Sequence, residues 1–294
     1  MGKPVDARKE LFKESKKRSL RRRKILLSLF IGLVVVFLIG FVLVLRLNIF
    51  IIQEINIVGN KVVKTESLMS LTEKRLAGNY LFVIPKNNNF LFSPFYLGQN
   101  IIKNFPDIEN VTVQREGFTK LEVKVSERSP KLLWCLSAVE GDECFYADKT
   151  GFLFAPAPNF SDNILFKVYG LIDSDPIGGR PLSAERFSGL LSIIDSLPGL
   201  VKSAGITPAV PRRLTIDRAG DCRVLISGSN TTASSTTAGT WTIVFNQTQD
   251  LPTLASNLNT VFATPEFQAD LISADHQLDY IDLRFGKKVF YKFK

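Results

Sequence analysis

Three cysteines and one histidine are the side chains of this 294-residue chain best suited to covalent, metal or acid–base chemistry. Cys135 and Cys144 bracket a short polar stretch. If residues 138–141 form a four-residue hairpin loop, Ser137 pairs with Asp142, Leu136 with Glu143, and Cys135 comes to lie opposite Cys144. Directly opposed strand residues approach to about 4.5–5.5 Å, within disulfide reach. The alternative is a pair of reduced, half-buried small hydrophobes. With Cys222 and the single His276, these residues give no metal-ligand spacing. His276 sits in a polar turn, Ser273-Ala274-Asp275-His276-Gln277, with no nucleophile-elbow pattern nearby. An exposed loop histidine is the plainer reading than a catalytic base.

Asp148-Lys149-Thr150-Gly151 spells the phosphorylation motif of P-type ATPases. That chemistry needs a cytoplasmic nucleotide domain and several membrane helices, whereas Asp and Gly here also make an ordinary turn between aromatic-flanked strands. Gly286-Lys287-Lys288 lacks the glycine spacing and the Ser/Thr of a phosphate-binding loop. The carboxylates fall mostly on alternating faces of strand-like runs, so no acid/base pair stands out. The sequence reads as a non-enzyme with no cofactor, no metal and no small-molecule substrate.

The elements that position these residues begin with an uncharged stretch from Ile25 to Leu45, interrupted only by Ser28, Gly32 and Gly40. As a helix rising about 1.5 Å per residue it is about 30 Å long, the hydrocarbon thickness of a bilayer. A cleaved signal peptide would have a shorter apolar region and a small-residue cleavage site; here the run passes into Arg46-Leu47-Asn48-Ile49-Phe50. Eleven of the 37 Lys/Arg and three of the 28 Asp/Glu lie in residues 1–24, which leaves 26 basic and 25 acidic residues for the rest. The tail thus carries +8 of the net +9, and the rest of the chain +1. Such a cluster beside a bilayer fits topogenesis and anionic lipid rather than nucleic acid, and puts the N-terminus in the cytoplasm.

Beyond the span, Ile55 and Ile57 alternate with Glu54 and Asn56 ahead of a Gly59-Asn60 turn, which predicts a strand. Thr65 is a candidate N-cap for a helix carrying Leu68, Leu71 and Leu76, stopped at Gly78. Ser93-Pro94 opens a second helix with Leu97, Ile101 and Phe105 on one face. Alternating runs at Val111–Val113 and Leu121–Val125 flank Glu116-Gly117-Phe118, short enough for a hairpin. Further on, Ser183 can cap a helix bearing Phe187, Leu190, Leu191 and Ile194. Asp250 caps another with Leu254, Leu258, Val261 and Phe262. Strands are predicted at 213–218, 223–227 and 241–246, and the Ser/Thr-rich stretch 227–240 reads as a hairpin tip.

The order β-α-α-β-β and the phrase NFPDIENVTVQREGFTKLEVKVSERSP (104–130) resemble the POTRA domain of the bacterial cell-division family FtsQ/DivIB. Phe105-Pro106, Val111, Val113, Arg115, Leu121, Val123, Val125, Glu127, Arg128 and Pro130 carry the likeness, and Phe118 departs from it in a turn where the family often has Pro. Tyr280-Ile281-Asp282-Leu283-Arg284-Phe285 resembles the family's Y-[IV]-D-L-R-[FY] ending. The resemblance implies an α+β fold: a basic tail (1–24), a transmembrane helix (25–45), a POTRA domain (51–128) and a mostly antiparallel β domain with packed helices (129–294).

It also implies a bitopic divisome component of the bacterial cytoplasmic membrane at the septum, with its C-terminus outside. Such a component would bind FtsB/FtsL-type partners and other divisome membrane proteins and help regulate septal wall synthesis. Lys288–Phe293 looks like a strand that ends the chain with its outer edge uncovered. By the resemblance, Arg284, Phe285, Val289, Phe290, Tyr291 and Phe293 form the partner site. The rival readings are a POTRA-bearing translocation chaperone, for which 131–294 is too short and too helical to supply barrel strands, and a membrane-anchored hydrolase built around His276.

Overall fold

The structure is a computed structural model that describes residues 7–80, 82–136, 143–158, 164–172, 175–203, 209–228, 239–272 and 277–294. The hairpin tip 138–141, His276 and most of the Ser/Thr-rich loop lie outside the described residues. Two compact units divide the chain: 1–103 with 110–126, and 104–109 with 127–294.

In the first unit, helix α1 runs Ala7–Leu45. Its segment Arg23–Leu45 is long and apolar enough to cross a membrane; its most apolar window is not buried against protein, and only its last residue, Leu45, is buried. This fits a single-pass anchor. Strand β1 (Glu54–Val58) follows, then α2 (Thr65–Leu76), a two-strand hairpin β2 (Asn79–Tyr80) and β3 (Ile84–Pro85), α3 (Pro94–Asn104), β4 (Ile108–Glu116) and β5 (Lys120–Glu127). The sheet order is β1-β5-β4, with β1 parallel to β5.

Alternation along β5 buries Leu121, Val123 and Val125, and Leu68 of α2 and Leu97 and Ile101 of α3 are buried as well. Gly59 is required by this packing: at φ +93° a Cβ there would collide with the Val125 carbonyl oxygen. Thr65 does not cap α2; Lys64 holds the N-cap position without a side-chain bond, and the Thr65 hydroxyl instead accepts from Asn60 Nδ2 at 2.8 Å.

The second unit holds β6 (Leu132–Cys135), β7 (Cys144–Ala147), β8 (Leu153–Ala157), β9 (Lys167–Tyr169), α4 (Ala184–Ser203), β10 (Ala209–Ile216), β11 (Asp221–Gly228), β12 (Gly239–Asn246), α5 (Leu251–Phe262), α6 (Pro265–Ile272), β13 (Leu278–Phe285) and β14 (Lys288–Phe293). They form one mostly antiparallel nine-stranded sheet in the order β14-β13-β12-β11-β10-β9-β6-β7-β8. The fold is thus α+β, as the resemblance implied. The three helices bury Phe187, Ile194, Leu254, Leu258 and Phe267 against the inner face of this sheet, where Leu214, Val224, Ile243 and Ile281 meet them. Asp250 caps α5, accepting from Thr253 N at 3.1 Å.

Candidate functional site

The last two strands decide what the C-terminal edge of the sheet presents. β13 and β14 are antiparallel and joined by Gly286-Lys287, with Gly286 at φ +66°, a conformation that suits a two-residue hairpin. Asn257 Nδ2 on α5 donates to Gly286 O at 2.7 Å and ties this turn down. Among the described residues β14 pairs with β13 alone, so its other side is a sheet edge. Both register shifts place the extra residue on β13, which leaves β14 itself regular.

The six sequence-nominated residues divide between two faces. Val289, Tyr291 and Phe293 are half-buried against the core, with the Phe267 ring 5.0 Å from Tyr291 and 5.5 Å from Phe293. Phe290 points the other way with Lys288 and Lys292, and is 50 % exposed. Phe285 is 55 % exposed and meets Phe290 edge to face, with ring centroids 5.2 Å apart. Two adjacent aromatics half in water at a strand edge are a surface that gains by being covered.

Arg284 is held internally. Its Nη2 lies 2.6 Å from Asp282 Oδ2 on the same strand, and its Nη1 lies 2.6 Å from Asp221 Oδ2 on β11, two strands away. Asn246 of β12, directly opposite Asp221 in register, donates to Asp221 Oδ1 at 3.0 Å. Hydrogen bonds from Asn246 and then Arg284 hold the Asp221 carboxyl below its ordinary range. Burial works to raise Asp282, but the bonds from Arg284 outweigh it and the carboxyl stays depressed. The Arg284 guanidinium is correspondingly raised, first by Asp282 and then by Asp221. Arg284 therefore clamps the outer face of three strands, with its cation 5.7 Å from the Phe285 ring centroid. Phe290 is the cross-strand neighbour of Asp282, so clamp and aromatic pair adjoin. Sequence reasoning named Arg284 but missed Asp221 and Asn246, which no local spacing connects to it.

At the other end of the sheet, Cys135 and Cys144 are disulfide-bonded and paired in register, with Cα atoms 4.1 Å apart. Cys222 is a buried free thiol on β11, pushed up to about 12 by burial first and then by Asp221 and Asp217. Asp148, the aspartate of the phosphorylation-like motif, is buried. Its Oδ1 accepts from Thr150 N, Thr150 Oγ1 and Phe152 N, and its Oδ2 accepts from Arg128 Nη1 at 2.6 Å. Burial opposes ionisation there, but the Thr150, Phe152 and Arg128 hydrogen bonds keep the carboxyl below its ordinary value. A carboxylate with both oxygens so engaged is a turn-and-anchor residue, not an open nucleophile.

Residues 50–128 match the family model of the POTRA domain, FtsQ-type. The chain therefore carries an FtsQ-type POTRA domain, a non-catalytic scaffold class, and the match supports the resemblance to FtsQ/DivIB. No curated protein matches the chain.

Proposed function

We propose that the chain is a single-pass divisome scaffold that receives an FtsB/FtsL-type partner on the β14 edge and helps regulate septal wall synthesis. In this reading residues 1–24 are the cytoplasmic tail, Ile25–Leu45 spans the cytoplasmic membrane, and the POTRA (51–128) and β (129–294) domains stand outside at the septum. The basic tail supports that orientation, since Lys and Arg flanking a span stay on the cytoplasmic side. The tail also meets anionic lipid. No catalysis is assigned; the work is recruitment, with the anchor confining the search to two dimensions.

The observation that carries the reading is the regular β14 edge, unpaired on its outer side among the described residues, beside the exposed Phe285–Phe290 pair. An edge strand offers backbone donors and acceptors to an added strand, each bond contributing about 0.5–1.5 kcal/mol net. Covering the water-exposed half of each ring adds about 1 kcal/mol, half of what complete burial gives. Phe290→Asp in the full-length membrane protein should therefore weaken capture of an FtsB-type partner by tenfold or more, since about 1.4 kcal/mol is tenfold. Unchanged affinity, or loss that accompanies unfolding seen by circular dichroism, would remove this edge from the proposal.

A further inference from the structure

An aromatic cluster gathers in the first unit at the end of the apolar helix. The last carbonyl of α1, Leu45 O, accepts from the buried Asn88 Nδ2 at 2.7 Å, and Arg46 Nε donates to Val83 O at 2.9 Å. Asn89 N donates to Phe50 O at 2.8 Å, and Asn89 Nδ2 donates to Gly117 O at 2.9 Å. These bonds tie the 82–91 loop to the helix end and the residues just after it, and the β4–β5 turn to that loop. Both segments present phenylalanines to solvent. Phe50, Phe90 and Phe118 form a triangle with ring centroids 5.3–6.1 Å apart, and Phe90 and Phe118 are 57 % and 53 % exposed. Phe82 is 96 % exposed and holds φ at 63°, a left-handed conformation uncommon for a bulky residue.

We infer that this surface beds into the interfacial layer of the outer leaflet, so that the POTRA domain is seated on the bilayer rather than hung from a free linker. The inference rests on reading α1 as a membrane span. The apolar run stops at Leu45, so whatever is hydrogen-bonded to Leu45 and Phe50 lies at the edge of the hydrocarbon. Rings at that depth remove apolar surface from water, and amphipathic surfaces use Phe in this way when they lie in the interface. Arg46 beside Val83, and Lys86 5.8 Å from the Tyr80 ring centroid, supply cations at headgroup level. The occupant is lipid because the cluster is continuous with the end of the span.

The test reconstitutes the full-length protein in phosphatidylcholine vesicles with and without brominated acyl chains and reads tryptophan emission. Phe82→Trp and Phe118→Trp probe the cluster, and Leu38→Trp probes the middle of the span. Trp134 and Trp241 are buried in the second unit and are subtracted as the unsubstituted protein. Phe82 is so exposed that its replacement leaves the fold intact. All three added tryptophans should lose most of their emission to the brominated lipid. Quenching at Leu38→Trp without quenching at either cluster position overturns the inference and spares the anchor, as does a blue shift at Phe118→Trp that grows only with protein density and so marks a second copy as the cover. No quenching at Leu38→Trp defeats the span reading, and this inference with it.

Discussion

The nine-stranded sheet has two edges built on opposite plans. The β8 edge is fastened and blunted. Its strand carries Pro156, which has no N–H to offer. The turn that delivers it is pinned by Asp148, and Arg128 and Arg180 lie 4.2 and 5.1 Å from the Phe152 ring centroid. A disulfide staples β6 to β7 behind it. The β14 edge has no proline and no bulge on the strand, and among the described residues it is held by the Gly286 turn, the packing of one face and an exposed Lys292–Asp279 ion pair at 3.7 Å. Natural sheets close the edges they do not use. In the proposed reading this regular edge, flanked by exposed aromatics and carrying only Lys288 and Lys292 as edge charges, is the one kept for the partner strand.

The largest effect should come from unpinning the β8 side. Asp148→Asn leaves Arg128 next to a neutral partner in a site where the two side chains are 11 % and 5 % exposed. Breaking one side of a buried pair costs roughly 3–5 kcal/mol, and the three bonds into Asp148 Oδ1 weaken as well. Because the native carboxyl is depressed, its contribution is fully present above the unfolded value near about 4 and is lost as pH falls through the lower folded value. Denaturant midpoints of wild type and Asp148→Asn should therefore differ widely at pH 7 and converge in acid. A gap independent of pH would mean that shape, not charge, pins the turn.

Removing the staple comes next. A disulfide closing a loop of sequence separation 9 stabilises by about 2.5 kcal/mol on loop-entropy grounds. Cys135→Ser/Cys144→Ser should lower the unfolding midpoint accordingly and leave partner capture unchanged, because the bridge sits at the far end of the sheet from β14. Thiol counting on unreduced, unfolded protein should find one thiol, Cys222, which in the folded protein resists alkylation because burial holds it protonated. Three reactive thiols would remove the staple and half of the contrast between the edges.

Much of this architecture was readable in advance. The membrane-length run, the POTRA-like order of elements and the caps at Ser183 and Asp250 are local signals, and local physics sets them. The Arg186 N to Ser183 Oγ contact at 3.4 Å and the Asp250 cap are where the spacing put them. The Arg284 clamp was not legible, because Asp221 is 63 residues away and meets Arg284 only through the sheet order. β9, three residues long and inserted in parallel between β6 and β10, has no alternation to announce it. The β2–β3 hairpin is two residues a side and equally silent. At the C-terminus the consecutive Val289-Phe290-Tyr291 masks the period of two, so the nominated set mixed the two faces that the strand separates.

That separation sets the smallest expected effect. Tyr291 and Phe290 are chain neighbours of similar size on the same open edge, yet Tyr291 turns its ring edge to face against the buried Phe267, while Phe290 turns away from the core toward Phe285. Tyr291→Ala forfeits packing on a half-buried ring and should cost about 2 kcal/mol, below the roughly 3–5 kcal/mol of a fully buried aromatic. Phe290→Ala gives up only a half-exposed edge contact and should stay within about 0.5 kcal/mol of wild type, the ordinary range for a surface position. Chemical denaturation of the two variants separates them on stability, and partner capture should separate them in the opposite sense. Phe290→Ala loses affinity with its fold intact, whereas any loss in Tyr291→Ala follows its instability and is relieved at lower temperature. Equal stability losses would show that Phe290 helps hold the strand in place, and the β14 edge would then be a second closed edge rather than the open counterpart of β8.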